Sequence, residues 1–210
     1  MTRRIVLALA ACLAASVLLP CAGLAAGPPA RLRATVEKFD HNVLTVKTEM
    51  GQVATVDVTP KTKISGVAAR KLSDIKPDDY IGVTAMKAKD GSLHAIEVHI
   101  FPPPMRGVGE GHYPFDRGPT STMTNAVVSG IVTSGNGDVF TLAYKKPKIG
   151  KPGAVKIDIG RHTPIVIFVP GDRSLLVPGA RVVMFAAKKP DGTYAAFVIV
   201  AEKNGVKPPM

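Results

Sequence analysis

The chain has 210 residues, and its 27 Lys and Arg against 16 Asp and Glu give a net charge of +11 and a pI of about 9.8. Its two cysteines, Cys12 and Cys21, fall within the first 26 residues, which leaves the rest of the chain without a disulfide or a thiolate metal site. Beyond those residues no apolar run approaches ~18, so we expect no membrane-spanning helix there.

Residues 1–26 have the pattern of a secretory signal peptide. Arg3 and Arg4 form a positive start, an apolar run of 15 residues follows, and small residues at 25 and 26 offer a cleavage site. Lipoprotein processing at Cys21 is the alternative. We therefore expect the mature protein to be periplasmic or secreted, with 25 basic against 16 acidic residues.

The remaining sequence contains two copies of one pattern. Residues 57–100 align without a gap with residues 158–201 at a constant offset of 101, so that Asp90-Gly91 falls on Asp191-Gly192. Upstream the register continues at an offset of 96, which places an insertion of 5 residues in the second copy. A self-similarity of fixed period indicates a duplicated structural unit.

The first copy is predicted to form short antiparallel strands. Alternating apolar residues and β-branched residues predict strands at 31–38, 42–49, 52–58, 80–87 and 93–100. A turn-rich stretch between them supplies Leu72 and Ile75 to one end of a core. Asp90-Gly91 favours a tight turn because glycine tolerates positive φ.

The second copy repeats this order. Strands are predicted at 127–133, 139–145, 154–159, 181–188 and 194–201. An additional apolar run at 163–168 matches a weaker one at 62–65. No segment after the leader has a convincing amphipathic helical pattern.

These strands predict an all-β fold of two tandem small antiparallel barrels that are OB-like, related by internal duplication and joined by a Pro/Gly-rich linker. The expected domains are a first barrel at 30–100, the linker at 101–126, a second barrel at 127–203 and a tail at 204–210. A small open sandwich is the alternative.

The last strands of the two copies differ in polarity. Glu97 and His99 in the first copy are expected to face outward, because they alternate with apolar residues. The second copy has Val198 and Val200 at these positions. We therefore expect these two valines to be covered by the other domain or by the linker.

The linker belongs to neither copy, and its composition predicts an ordered segment. It begins with a stiff run of three prolines and continues through three closely spaced glycines. Disordered linkers are poor in aromatic residues, yet this one contains Phe101, Tyr113 and Phe115. We therefore expect it to pack across both barrels.

Motifs in and after the linker resemble the hallmark of an exported bacterial family of duplicated β-domains. They cover 105–116 and 121–126, with further points of resemblance at 169–173, 176–180 and 208–210. The resemblance implies repeats similar to an OB-like domain of unknown function, without known catalytic or binding residues. Members often carry the label "metal ABC transporter permease", which this sequence does not support, because a permease needs several membrane helices.

The linker is also the candidate binding segment. Its candidate residues are Arg106, Glu110, His112, Tyr113, Phe115 and Asp116. The favoured interpretation is structural, with Tyr113 and Phe115 inserted between the barrels. No cofactor is expected on this reading.

Metal binding is the alternative reading of the same segment. The mixed set of Glu110, His112 and Asp116 with Glu97 and His99 has donors that suit zinc or copper. A copper site with Met105 and Met123 is the weaker form of this alternative. The five histidines of the chain have no compact metal-ligand spacing.

The sequence does not predict an enzyme. It has no Gly-x-Ser-x-Gly elbow, and its glycine-rich segment lacks the Lys-Ser/Thr of a phosphate loop. Nucleic acid is not an expected partner, since the chain has no tryptophan and only 11 Phe and Tyr for base stacking. We expect a non-enzymatic binding or accessory protein of the cell envelope, with metal delivery and electrostatic docking to an anionic envelope polymer as alternatives. Its partner would be an anionic envelope component or another envelope protein.

Overall fold

The computed structural model describes residues 29–134, 137–145 and 151–209. The predicted signal peptide and Cys21 lie outside the described residues. Within these ranges the regular structure is β-strand with three short 3-10 turns, at Leu72–Asp74, Pro103–Met105 and Arg173–Leu175, so the all-β prediction is confirmed.

Thirteen strands follow one another along the described chain. They are β1 (Ala30–Asp40), β2 (Val43–Thr48), β3 (Val53–Asp57), β4 (Lys63–Ala69), β5 (Tyr80–Lys87), β6 (Leu93–Ile100), β7 (Gly111–Pro114), β8 (Ser121–Ser134), β9 (Gly137–Tyr144), β10 (Gly153–Gly160), β11 (Ile165–Pro170), β12 (Arg181–Lys188) and β13 (Tyr194–Ala201). The predicted limits of β5, β6, β12 and β13 are confirmed to the residue.

Five strands form a first ring. β1 pairs with β2 and β2 with β3; β3 pairs with β13, β13 with β12, and β12 returns to β1. The β3–β13 pairing is parallel and joins Val56 to Tyr194 and Asp57 to Ala195. Alternate side chains enter the ring, as the strand period of two requires, and Leu44 and Val46 of β2 are fully buried there.

A second ring consists of β8, β9, β10, β6 and β5 in that pairing order. β5 pairs with β8 along seven residues, from Tyr80 against Val127 to Met86 against Ser121. One pair, Asp158 against His94, closes the ring between β10 and β6. Its core contains Phe140, Leu142, Ile157 and Ile159, all fully buried.

Each ring takes strands from both copies. β1, β2 and β3 of the first copy close with the β12–β13 hairpin of the second, while β8, β9 and β10 close with the β5–β6 hairpin of the first. The predicted arrangement of one barrel per copy, over 30–100 and 127–203, is therefore not confirmed. The copies have exchanged their last hairpins, because each hairpin pairs with the first and the third of the three opening strands of the other copy.

β4 and β11 join the two rings. They pair antiparallel with each other, β4 runs parallel to β13, and β11 runs parallel to β6. A third apolar cluster lies between the rings, with Val67, Tyr80, Phe101, Val166, Phe168, Val183 and Val200 among its buried members. Val200 is buried and Val198 packs against this cluster, as their apolar character predicted.

No helix within the described ranges has the length and apolar character needed to cross a membrane.

Candidate functional site

The linker is folded against the second ring. β7 pairs antiparallel with β8, with His112 against Thr124 and Tyr113 against Met123. The Asn125 side chain donates from Nδ2 to the carbonyl oxygens of Val108, at 3.3 Å, and Gly109, at 3.2 Å. These contacts hold the glycine-rich loop on the outer face of β8.

The candidate residues of the linker have separate partners. Arg106 donates to Asp78, Glu110 accepts from the backbone N–H of Lys145 at 2.6 Å, and His112 Nδ1 lies 2.8 Å from Thr124 Oγ1. Burial lowers the pKa of His112, which favours its neutral form. These side chains therefore support the fold of the linker and do not converge on one point.

The proposed metal donors are not brought together in the described part of the chain. No group of three or more His, Cys, Asp and Glu side chains close enough to hold a metal ion occurs there. His112 lies over the ring of Tyr144, at 6.4 Å between ring centroids, while Asp116 lies against Arg31 and Arg33.

Glu97 and His99 are buried, which corrects the expectation that they face solvent. Thr84 Oγ1 donates to Glu97 Oε1 at 2.5 Å. The His99 ring lies 4.8 Å from Phe101 and 5.4 Å from Phe168 between centroids, and burial lowers its pKa to about 3. The alternation of β6 gave the correct face of the strand, but the linker and the bridging strands cover that face.

Asp116 connects the linker to the first ring. Arg33 donates to its two carboxylate oxygens at 2.6 and 3.1 Å, and Arg31 donates to one of them at 3.1 Å. The hydrogen bonds from Arg33 are the main cause that lowers the pKa of Asp116. The Arg31 guanidinium also lies over the Phe115 ring, 4.3 Å from its centroid.

Beside this contact lies an open groove of about 600 Å³ at one end of the first ring. Its walls are the beginning of β1, the turn between β2 and β3, and the turn between β12 and β13. Met50 and Val53 line it and are 85% and 63% exposed. These two side chains place accessible apolar surface beside the charged residues of the groove.

The charges of the groove favour an anionic ligand. Arg31, Arg33 and Lys188 line it against Glu49 and Asp191. Both carboxylates already have partners: Glu49 lies 3.4 Å from the guanidinium of Arg117, and Asp191 accepts from the backbone and the hydroxyl of Thr193. Arg31 and Arg33 are paired with Asp116 in the same way, so among the described residues Lys188 is the lining cation that has no ion pair.

Sequence reasoning did not select the groove. Its residues come from three segments that are distant in the chain, and its far wall belongs to the exchanged hairpin. The alternation of Arg31 and Arg33 with the apolar residues of β1 was the available signal, because it places both arginines on the outer face.

Comparison of the chain with family models, with curated proteins and with solved structures finds no match. The class of the protein therefore rests on its fold and its site: it is an all-β protein of two five-stranded rings with exchanged hairpins and a cationic groove.

Proposed function

We propose that this chain is an exported, non-enzymatic binding protein of the cell envelope that holds an anionic polymer in the groove of its first ring. The observation that carries the proposal is the groove itself, which combines Arg31, Arg33 and Lys188 with accessible apolar side chains. An open groove suits an extended ligand, because both ends of a polymer can pass out of it.

The strand order of the rings supports this location. We interpret both rings as OB-like, each formed by three consecutive strands and a hairpin supplied by the other copy. OB folds bind oligonucleotides and oligosaccharides over the face of strands 2 and 3 and adjoining loops. In the first ring β2, β3 and the turn of the exchanged hairpin line the groove.

Two further observations favour binding of an envelope polymer over binding of nucleic acid and over catalysis on a substrate. The pattern of residues 1–26 is that of an export signal, and exported proteins meet anionic polymers outside the cytoplasm. Among the described residues that line the groove there is neither histidine nor cysteine, and its aromatic contribution is Tyr194.

Binding of dextran sulfate, measured by fluorescence anisotropy, tests the proposal, with uncharged dextran of equal length as the comparison. We expect the affinity for dextran sulfate to fall steeply between about 50 and 300 mM salt, because exposed charge contacts are screened over ~10 Å or less. Lys188→Glu should weaken binding by about three- to tenfold, since it reverses one exposed charge contact.

Lys63→Glu is the matched control, because Lys63 is equally exposed on β4 and does not line the groove. It should change the affinity by less than about twofold. Equal binding of uncharged dextran, or binding that is independent of salt, would contradict the proposal.

A further inference from the structure

A smaller depression of about 130 Å³ adjoins the groove. It lies between the outer faces of β1 and β12, the linker and the C-terminal segment, and Arg33 and Glu49 line both cavities. Arg33, Arg117, Arg181 and Lys207 surround it. Four cations and one carboxylate, that of Glu49, therefore line the depression, and of the four cations Arg33 is already paired with Asp116.

Apart from Arg33, whose guanidinium donates to Asp116, these cations have few acceptors within the described part of the chain. The Arg117 guanidinium reaches Glu49 at 3.4 Å, and Arg181 Nη1 reaches the hydroxyl of Thr35 at 3.3 Å. Lys207 forms no ion pair with a described residue, and the Nε–H of Arg33 is buried without an acceptor. Unused donors on converging cations are what an oxyanion site requires.

The equivalent place on the second ring has no such charge. The strand pairings place Asn125 at the position of Arg33 and Tyr80 at the position of Arg181. Arg117 and Lys207 lie outside the duplicated pattern, in the linker and in the tail. The four cations are thus a property of the first ring alone, and they come from four different segments of the chain.

We propose that this depression binds a single tetrahedral oxyanion, a phosphate or sulfate group. A single guanidinium pairs with a carboxylate or a phosphate, but donors that approach from several segments suit the several oxygens of a tetrahedral group, whereas a carboxylate offers two oxygens in one plane. The volume corresponds to about four water molecules at ~30 Å³ each, enough for one such group and too little for a longer segment. The further statement that this phosphate or sulfate group belongs to the polymer in the groove rests on the proposed function.

The test compares dextran sulfate with carboxymethyl dextran of equal length and charge density, by calorimetry on the purified protein. We expect dextran sulfate to bind about tenfold more tightly or better, since that ratio corresponds to about 1.4 kcal/mol. The double variant Arg181→Gln, Lys207→Gln should lose this preference. Both side chains are exposed, so the variant is expected to fold. Lys63→Gln with Lys156→Gln is the control that removes the same charge from exposed positions elsewhere.

A second measurement uses inorganic phosphate alone and records the thermal shift of wild type and double variant. Stabilisation of the wild type that the double variant lacks supports the depression as a site, even if neither polymer binds and the proposed function fails. Absence of both the sulfate preference and the phosphate shift in the wild type overturns the inference. Salt-dependent binding of both polymers would then still leave the proposed function standing.

Discussion

His99 lies between the two rings, where it contacts aromatic side chains. Its Nδ1 is buried without a hydrogen-bond partner. Gly82 lies directly opposite it on β5, and a Cβ at Gly82 would overlap the His99 ring. The missing side chain at Gly82 therefore makes room for the imidazole, which must stay neutral in this apolar place.

This burial predicts a pH-dependent stability. Because the pKa of His99 falls from 6.5 to about 3 on folding, the unfolded chain binds a proton that the folded chain does not bind. The contribution of His99 to the free energy of unfolding is fully present above about pH 6.5. It declines by ~1.4 kcal/mol per pH unit as the pH falls toward 3. At pH 5 the loss is about 2 kcal/mol.

Urea unfolding at pH 7 and pH 5 measures this effect. His99→Leu should reduce the difference between the two pH values by about 2 kcal/mol. His162→Leu, at an exposed turn position, is the control for the loss of a histidine. Equal pH dependence in wild type and His99→Leu would show that His99 is not the titrating group.

The polarity of Glu97 and His99 misled the sequence prediction for a physical reason. Alternation along a strand tells which side chains share a face, but it does not tell what covers that face. Here Phe101, at the start of the linker, and Phe168 of β11 cover His99, and β11 reaches β6 only through a crossover from much later in the chain. The difference between the two copies was visible, whereas the burial required the tertiary structure.

Tight turns close the two exchanged hairpins in the same way. Gly91 and Gly192 have φ of 89° and 85°, in the left-handed region that favours glycine. The carboxylates of Asp90 and Asp191 accept from the backbone N–H two residues later, at 3.0 and 2.9 Å. The Asp-Gly turns predicted from sequence are confirmed, because their geometry is local.

Gly192→Ala tests this turn. We expect a loss of about 1–2 kcal/mol in the free energy of unfolding, since an L-residue with a Cβ is strained at positive φ. Chemical denaturation measures the loss. Gly160→Ala is the control, because Gly160 has no positive φ and its nearest neighbour would lie 3.6 Å from an added Cβ. If Gly160→Ala lost as much free energy of unfolding as Gly192→Ala, backbone strain at Gly192 would not be the cause.

At the scale of strands, local pattern predicted most of the framework. Apolar runs at 62–65 and 163–168 correspond to β4 and β11, whose role as a bridge between rings could not be read from their composition. β8 begins at Ser121, earlier than the predicted 127, because its first part pairs with β5 and β7. That pairing depends on partners that no local pattern identifies.

The exchange of hairpins is the main property of the whole molecule that the sequence did not reveal. The repeat makes the β5–β6 and β12–β13 hairpins similar, so either could in principle complete either ring. Self-similarity indicates that two units exist and says nothing about which strands they share. The exchanged form is distinguished by the pairings of β1 with β12, β3 with β13, β5 with β8 and β6 with β10.

Cysteine cross-linking distinguishes the two forms directly. Thr35 and Arg181 are opposite each other in the β1–β12 pair. Thr35→Cys with Arg181→Cys should therefore form a disulfide upon oxidation, detected by thiol titration of the chain without its first 26 residues, which has no other cysteine. In a chain also cut at a protease site introduced after Gly107, this disulfide should hold the two fragments together on a non-reducing gel.

The comparison pair is Thr35→Cys with Tyr80→Cys, because Tyr80 is the repeat equivalent of Arg181. It should remain reduced in the exchanged form. Efficient oxidation of this pair, together with failure of the first, would show that each copy closes its own ring.

The β1–β12 pairing also bears on biogenesis. Ala34 of β1 pairs with Val182 of β12. The first ring therefore cannot close until β12 and β13 have been synthesised, long after β1. Such distant pairing is slow to form, since a long loop must close before its contacts stabilise it. During that interval β1 and β3 present open edges that invite association with other chains. Chaperone dependence and a concentration-sensitive folding yield are the expected cost of this topology.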